Sequence, residues 1–152
     1  MTTRLAAVQM VSAPEVAMNL EAAGRLVAAA ADAGARLVAL PENFYIIGRH
    51  ETDKVKVREA DGAGPIQDFL ARAARAHRVW IVGGTVPISC DDPARIRSAC
   101  LVYDDTGKRV ARYDKMHLFR FEGRDERHDE SRKDTVTISA LPRAAPPAPG
   151  AA

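Results

Sequence analysis

The feature that most narrows the fold is an order of segments: short runs that are apolar at nearly every position, alternating with stretches whose apolar residues recur at helical spacing. Leu5–Val11 is the first such run. A strand that is apolar on successive residues has both faces covered, as in parallel or mixed sheets flanked by helices. Behind it, over residues 15–33, Val16, Leu20, Ala23, Leu26, Val27 and Ala30 fall three and four apart, which predicts a helix with one buried face, and Gly34 supplies its stop signal. Arg36–Leu40 (RLVAL) predicts a second buried strand, ended by Pro41, which cannot donate to a sheet ladder. A β-α-β opening, and so an α/β fold, follows.

The pattern then repeats with a variation. A polar stretch, Arg49–Gly64, ends in the breaker run DGAGP, which places Pro65 at the first position of a helix. Pro65–Arg78 carries Ile66, Phe69, Leu70, Ala73 and Ala74 on one side. Val79–Val86 (VWIVGGTV) predicts another buried strand, whose Gly83 and Gly84 mark a bend or a close backbone approach. After a loop around Asp91, Asp92 and Pro93, Ser98–Tyr103 and Lys108–Tyr113 form a hairpin across Asp104–Gly107, delivering Asp114 and Lys115 to a strand end. Arg120–Lys133 holds five basic and five acidic residues, so its charges cancel and it reads as a solvated loop. A strand at Thr135–Ile138 closes a domain over residues 4–138. In Ala140–Ala152, Ala, Pro or Gly occupies eleven of thirteen positions, a composition that cannot pack a core, so 139–152 is expected to be a disordered tail.

Composition removes several function classes. At 152 residues the chain is one domain, and 22 Lys and Arg against 20 Asp and Glu leave +2, too little to drive binding to nucleic acid or an acidic membrane surface. No apolar run is long enough to span a bilayer. Two cysteines, Cys90 and Cys100, with no secretory signal ahead of them, read as reduced thiols in a cytoplasmic protein. His50, His77, His117 and His128 show no i, i+4 pairing and no cysteine pair nearby, so no metal is expected. Gly83-Gly84 is not a G-x-G-x-x-G fingerprint and no P-loop occurs, so neither is a nucleotide cofactor.

Three polar residues carry candidate chemistry. Glu42, in LVALPENF, directly follows a buried strand, where partial desolvation would raise a carboxylate toward the range of a general base; otherwise it is a surface residue in a turn. Lys115, in RYDKMHLF, ends the hairpin, where a fixed ammonium can stabilise an oxyanion, unless it is a solvated lysine paired with Asp114. Glu130, in HDES, lies in the charged loop and by itself reads as surface.

In order and spacing, LVALPENF, VWIVGGTVPI, YDKMHLF and HDES closely resemble the nitrilase superfamily of carbon-nitrogen hydrolases, from Leu5 to about Ile138. The resemblance implies the first part of an α-β-β-α sandwich, Glu42 as general base, Lys115 as oxyanion stabiliser and Glu130 as a second glutamate. It also implies a small-molecule amide as substrate, no cofactor, and homo-oligomers as an option. LPENFYIIG is more similar to the branch that hydrolyses amides of small carboxylic acids, the ω-amidase-like and deaminated-glutathione-amidase-like members, than to true nitrilases.

One element of the family pattern is missing. The family's nucleophile is a cysteine in a Cys-Tyr-Asp-like block beyond the second glutamate, where this sequence passes from DTVTIS into ALPRAAPPAPGAA. Cys100, within the strand ACLVY, reads as a small buried hydrophobe, and Cys90 sits beside Asp91 and Asp92, whose charge disfavours a thiolate. The expectation is therefore a chain cut short by truncation or a change of reading frame, or else a genuinely short relative, and in each case inactive as it stands. The rival reading is a non-catalytic binding or assembly module built from the same fold.

Overall fold

Five strands form one mixed sheet in the order β1-β2-β3-β4-β5, namely Leu5–Ala7, Leu37–Leu40, Trp80–Ser89, Ile96–Tyr103 and Arg109–Asp114. The computed structural model describes residues 3–50, 52–116, 122–123 and 126–127. β1, β2 and β3 are parallel neighbours, and β3–β4 and β4–β5 are antiparallel. Helix α1 (Val16–Asp32) joins β1 to β2, while the short α2 (Asp53–Lys56) and then α3 (Pro65–His77) lie between β2 and β3. Two right-handed crossovers that advance across a sheet in one direction put both helices on the same face. The contacts between α1 and α3 agree with that placement.

The core lies between this helical layer and the sheet. Val38 and Leu40 of β2, Ile81 of β3, and Ala99, Leu101 and Tyr103 of β4 are buried with Ala23 and Val27 of α1 and Ile66, Leu70 and Ala74 of α3. The residues between them, Leu37, Ala39, Trp80, Val82, Cys100 and Val102, are only half-buried. Among the described residues, then, one sheet face is covered and the other is an open apolar surface, which is the arrangement expected of the first part of a sandwich.

Helix ends follow local chemistry. α1 stops where Gly34 takes φ 86°, a conformation costly for any residue with a Cβ, and its N–H reaches the Ala31 carbonyl at 2.8 Å. α3 starts with Pro65 at its first position, but its N-cap is Gly64, which has no capping side chain. Glu59 caps it from outside. Its carboxylate accepts the Ile66 N–H at 2.5 Å, and the Gln67 N–H and Gln67 Nε2 at 3.1 Å each, in a buried site. An anion at a helix N-terminus is favoured by the unpaired amides and by the helix dipole. Glu59 also bridges β3, donating its N–H to the Pro87 carbonyl and accepting from the Ser89 N–H, both at 2.8 Å. Glu59→Gln, which replaces one acceptor oxygen by a donor facing other donors, is expected to cost about 1–3 kcal/mol in urea unfolding.

Several expectations are corrected. The apolar run predicts a first strand over Leu5–Val11 covered on both faces, but β1 is only three residues long, Leu5 is exposed, and Val11 is 95% exposed. Its position at the edge of the sheet explains this, since among the described residues β2 alone pairs with it. β3 runs past Val86 to Ser89, and β4 begins at Ile96 rather than Ser98. Residues 122–123 and 126–127 pair as β6 (Glu122–Gly123) and β7 (Glu126–Arg127), inside a segment expected to be loop. Thr135–Ile138 and the Ala/Pro-rich tail lie outside the described residues.

Candidate active site

Both candidate residues follow the C-terminal end of a strand, Glu42 after β2 and Lys115 after β5. These strands run in the same direction, so both residues emerge at one end of the sheet. In the sheet β3 and β4 lie between these two strands. The side chains meet nevertheless: Lys115 Nζ donates to Glu42 Oε1 at 2.7 Å across 73 residues of sequence.

The turn carrying Glu42 is held from several sides. Phe44, Tyr45 and Ile46 are buried directly behind it, with the Phe44 ring 6.0 Å from Tyr45 and 6.4 Å from Phe69 of α3. Buried Asn19 donates to the Ala13 carbonyl at 2.7 Å and to the Tyr45 carbonyl at 2.8 Å, tying the start of α1 to the turn. Asn43 adopts φ 56° and donates its N–H to Thr85 Oγ1 at 3.4 Å. The β3 register shifts between Gly83 and Val86, a bulge that returns Val86 and Ile88 to the core side. At Gly84, a Cβ would stand 1.9 Å from the Pro41 carbonyl oxygen, so only glycine lets the backbone before Glu42 lie this close to β3.

Lys115 is fixed by the hairpin. Its N–H donates to the Ser98 carbonyl at 2.9 Å, extending the β4–β5 ladder by one bond. On the preceding residues, Arg112 grips Asp114 through Nε–Oδ1 at 2.7 Å and Nη2–Oδ2 at 2.9 Å. Arg112 Nη1 also reaches Asp61 Oδ2 at 2.9 Å, and Arg109 donates to the other oxygen of Asp61. The hydrogen bond from Arg109, reinforced by the charges of both arginines, holds the Asp61 carboxyl below its ordinary 3.8. A lowered folded-state pKa contributes stability above the unfolded value that is lost as pH falls through the folded one. Thermal unfolding followed below pH 4 is therefore expected to show a smaller acid loss in Asp61→Asn than in the parent chain.

Of the two readings of Glu42, the structure favours the surface one: its side chain is 54% exposed, against 26% for Lys115, because no described element lies over it. A half-exposed ion pair of this kind contributes under about 1 kcal/mol to stability. The pair therefore matters for what it presents, a proton acceptor and a cation side by side at the end of a sheet. Neither cysteine joins it. Cys100 lies on β4 opposite Tyr113, its thiol pushed up by burial, and Cys90 is in the loop after β3 with its Sγ 3.4 Å from the Asp92 carbonyl. Glu130, His117 and His128 lie outside the described residues. Among the described residues, no three His, Cys, Asp or Glu side chains gather to hold a metal ion, and no helix is long and apolar enough to cross a membrane. Buried Glu59 went unread in the sequence; its local signal was an acid shortly before a breaker run and a helix-starting proline.

The sequence pattern of one family, carbon-nitrogen hydrolase, matches residues 4–144. The chain belongs to the carbon-nitrogen hydrolase family. Among its relatives is a deaminated glutathione amidase of Synechocystis sp., 36% identical over 115 residues that make up 75% of this chain and 42% of the relative. An omega-amidase of Xenopus tropicalis is 29% identical over 116 residues, 76% of this chain and 41% of the relative. The crystal structure of the C. elegans NitFhit protein superposes with a TM-score of 0.72 at 28% identity, covering 86% of this chain and 33% of that one. This carbon-nitrogen hydrolase chain thus has the nitrilase-type α/β fold and spans about two fifths of the length of the amidases it matches.

Proposed function

We propose that this chain carries the base and the oxyanion-stabilising part of an amidase acting on amides of small carboxylic acids. The observation that carries the reading is the 2.7 Å contact between Lys115 Nζ and Glu42 Oε1 at the common end of β2 and β5. In the reaction, Glu42 takes the proton of a cysteine thiol and the thiolate adds to the amide carbon. The Lys115 ammonium, with a backbone N–H, balances the charge gathering on the carbonyl oxygen. As the C–N bond breaks, protonated Glu42 returns its proton to the departing nitrogen and ammonia leaves. A water molecule, deprotonated by Glu42, then cleaves the thioester to release the acid and the thiol.

The thiol is neither Cys90 nor Cys100 in this reading, so the 152 residues do not complete the set alone. Glu130 is proposed as the second glutamate, and a cytoplasmic location goes with the two reduced thiols. The amide preference is supported by the amidase relatives and by the PENFYIIG turn. The rival, a non-catalytic binding module, would need neither a base nor a cation at this position. A chain continued through the C-terminal part of the Synechocystis relative, tested on a panel of ω-amides and nitriles, decides between them. Ammonia release from amides and little from nitriles is the expected result; turnover of nitriles alone overturns the substrate class, and no turnover of either favours the binding module.

A further inference from the structure

We propose that Thr85 is a positioning residue for Glu42: its hydroxyl holds the peptide between Glu42 and Asn43 in the orientation that presents the Glu42 side chain to Lys115. The proposal rests on the reading of Glu42 as the base. Because the Glu42 side chain is 54% exposed and no described element lies over it, its place is set mainly through its own backbone. That backbone is the corner of a tight turn. The Phe44 N–H donates to the Pro41 carbonyl at 3.3 Å. Among the described non-glycine residues only Asn43, at φ 56°, and Arg78 have a positive φ, so φ of Glu42 is negative. A negative φ at the second residue of a turn followed by a positive one at the third is the sign pattern of type II.

A type II turn differs from the commoner type I by a half-rotation of its middle peptide, here the one joining Glu42 to Asn43. The left-handed conformation disfavours any residue with a Cβ, although asparagine bears it better than most, so something must hold the peptide against relaxing to type I. β3 supplies it. Gly83 pairs with Leu101 and Val86 with Ala99, which leaves Gly84 and Thr85 together opposite Cys100, a bulge of one extra residue. The two bulge residues meet the turn at successive points. Gly84 lies against the Pro41 carbonyl, and Thr85, only 8% exposed, accepts the Asn43 N–H on Oγ1 at 3.4 Å. That amide belongs to the middle peptide. After a flip the Glu42 carbonyl oxygen, standing ~1.2 Å out from its carbon, would be pressed against Oγ1 well inside that distance. The hydroxyl thus both accepts the N–H and excludes the alternative. A flip would turn ψ of Glu42 by about 150°, and with it change the side-chain rotamers open to the carboxylate.

Two readouts test the proposal. In the 152-residue chain, the nuclear Overhauser cross-peak between Glu42 Hα and the Asn43 amide proton is strong in a type II turn and weak in type I. In a family-length chain, continued through the C-terminal part of the Synechocystis relative, turnover of an ω-amide follows the base. Thr85→Ala removes the acceptor and makes room for the carbonyl. It is expected to weaken the cross-peak and to lower kcat about tenfold, the weight of one hydrogen bond to a shielded amide, with KM changed less than about twofold. Thr85→Ser is expected to retain both. Thr85→Ala/Asn43→Gly is expected to recover both, since glycine favours a positive φ there, whereas the loss of a mere brace of β3 would not be repaired from the turn. Should Thr85→Ala not fold, Asn43→Val poses the question from the turn, where a β-branched residue disfavours positive φ, and the same two losses are expected. An unchanged cross-peak and kcat in Thr85→Ala overturns the proposal, and so does a loss that Asn43→Gly does not recover. A family-length parent with no turnover overturns the reading of Glu42 as base and the positioning role with it, even where the cross-peak shows the turn to be held.

Discussion

Assayed alone, the 152-residue chain should release no ammonia above background from a small ω-amide such as α-ketoglutaramate. Glu42 can activate only a thiol within hydrogen-bond reach, and Lys115 can stabilise only an oxyanion that a nucleophile has created. Cys100 sits within β4 with its thiol pushed up by burial, and Cys90 is in the loop beyond β3. Glu42 and Lys115 could at most polarise water, a far weaker nucleophile than a thiolate at neutral pH. Losing the nucleophile of a comparable hydrolase lowers turnover on the order of 10⁶-fold. Turnover abolished specifically by Cys100→Ala would show that this half-buried thiol is the nucleophile after all.

The second large effect is expected at Gly84. Alanine there would put a Cβ 1.9 Å from the Pro41 carbonyl oxygen and 2.7 Å from its carbon, both backbone atoms that cannot swing away as a side chain would. Either β3 or the Pro41–Glu42 turn must move. The turn is anchored by the buried ring of Phe44 against Phe69 and by the Asn19 bonds, while β3 is paired on both edges. Gly84→Ala is therefore expected to destabilise by at least about 3 kcal/mol, the upper part of the overpacking range. Chemical denaturation measures the loss. A change below about 1 kcal/mol would mean that the close approach has no structural consequence.

How much of this was legible in the sequence depended on whether the signal was local. The helix at Pro65 was read to within one residue because a proline start and an apolar face coincide there. The glycine pair Gly83-Gly84 signals a bend or a close backbone approach within a buried strand, and the structure places a close approach at Gly84. The hairpin carrying Lys115 was legible from its turn residues, and Glu42 from the proline that ends β2. What failed was tertiary. An apolar Leu5–Val11 looks the same whether a strand is central or at an edge, and only the topology exposes Leu5 and Val11. Glu59 sits in a polar stretch, and its burial arises from the fold of that loop over the start of α3. Local sequence left Lys115 as either an oxyanion stabiliser or a lysine paired with Asp114, and its contact with Glu42, 73 positions away, is visible only in the fold.

The most direct measurement of the central claim is the turnover number of a family-length chain, this sequence continued through the C-terminal part of the Synechocystis amidase, compared with its Glu42→Gln and Lys115→Met variants on one ω-amide. Each substitution is expected to lower turnover on the order of 10³-fold with the fold intact by circular dichroism, since one removes the proton acceptor and the other the cation facing the oxyanion. Full activity in either variant would contradict the account, because the residue changed would then take no part in the reaction.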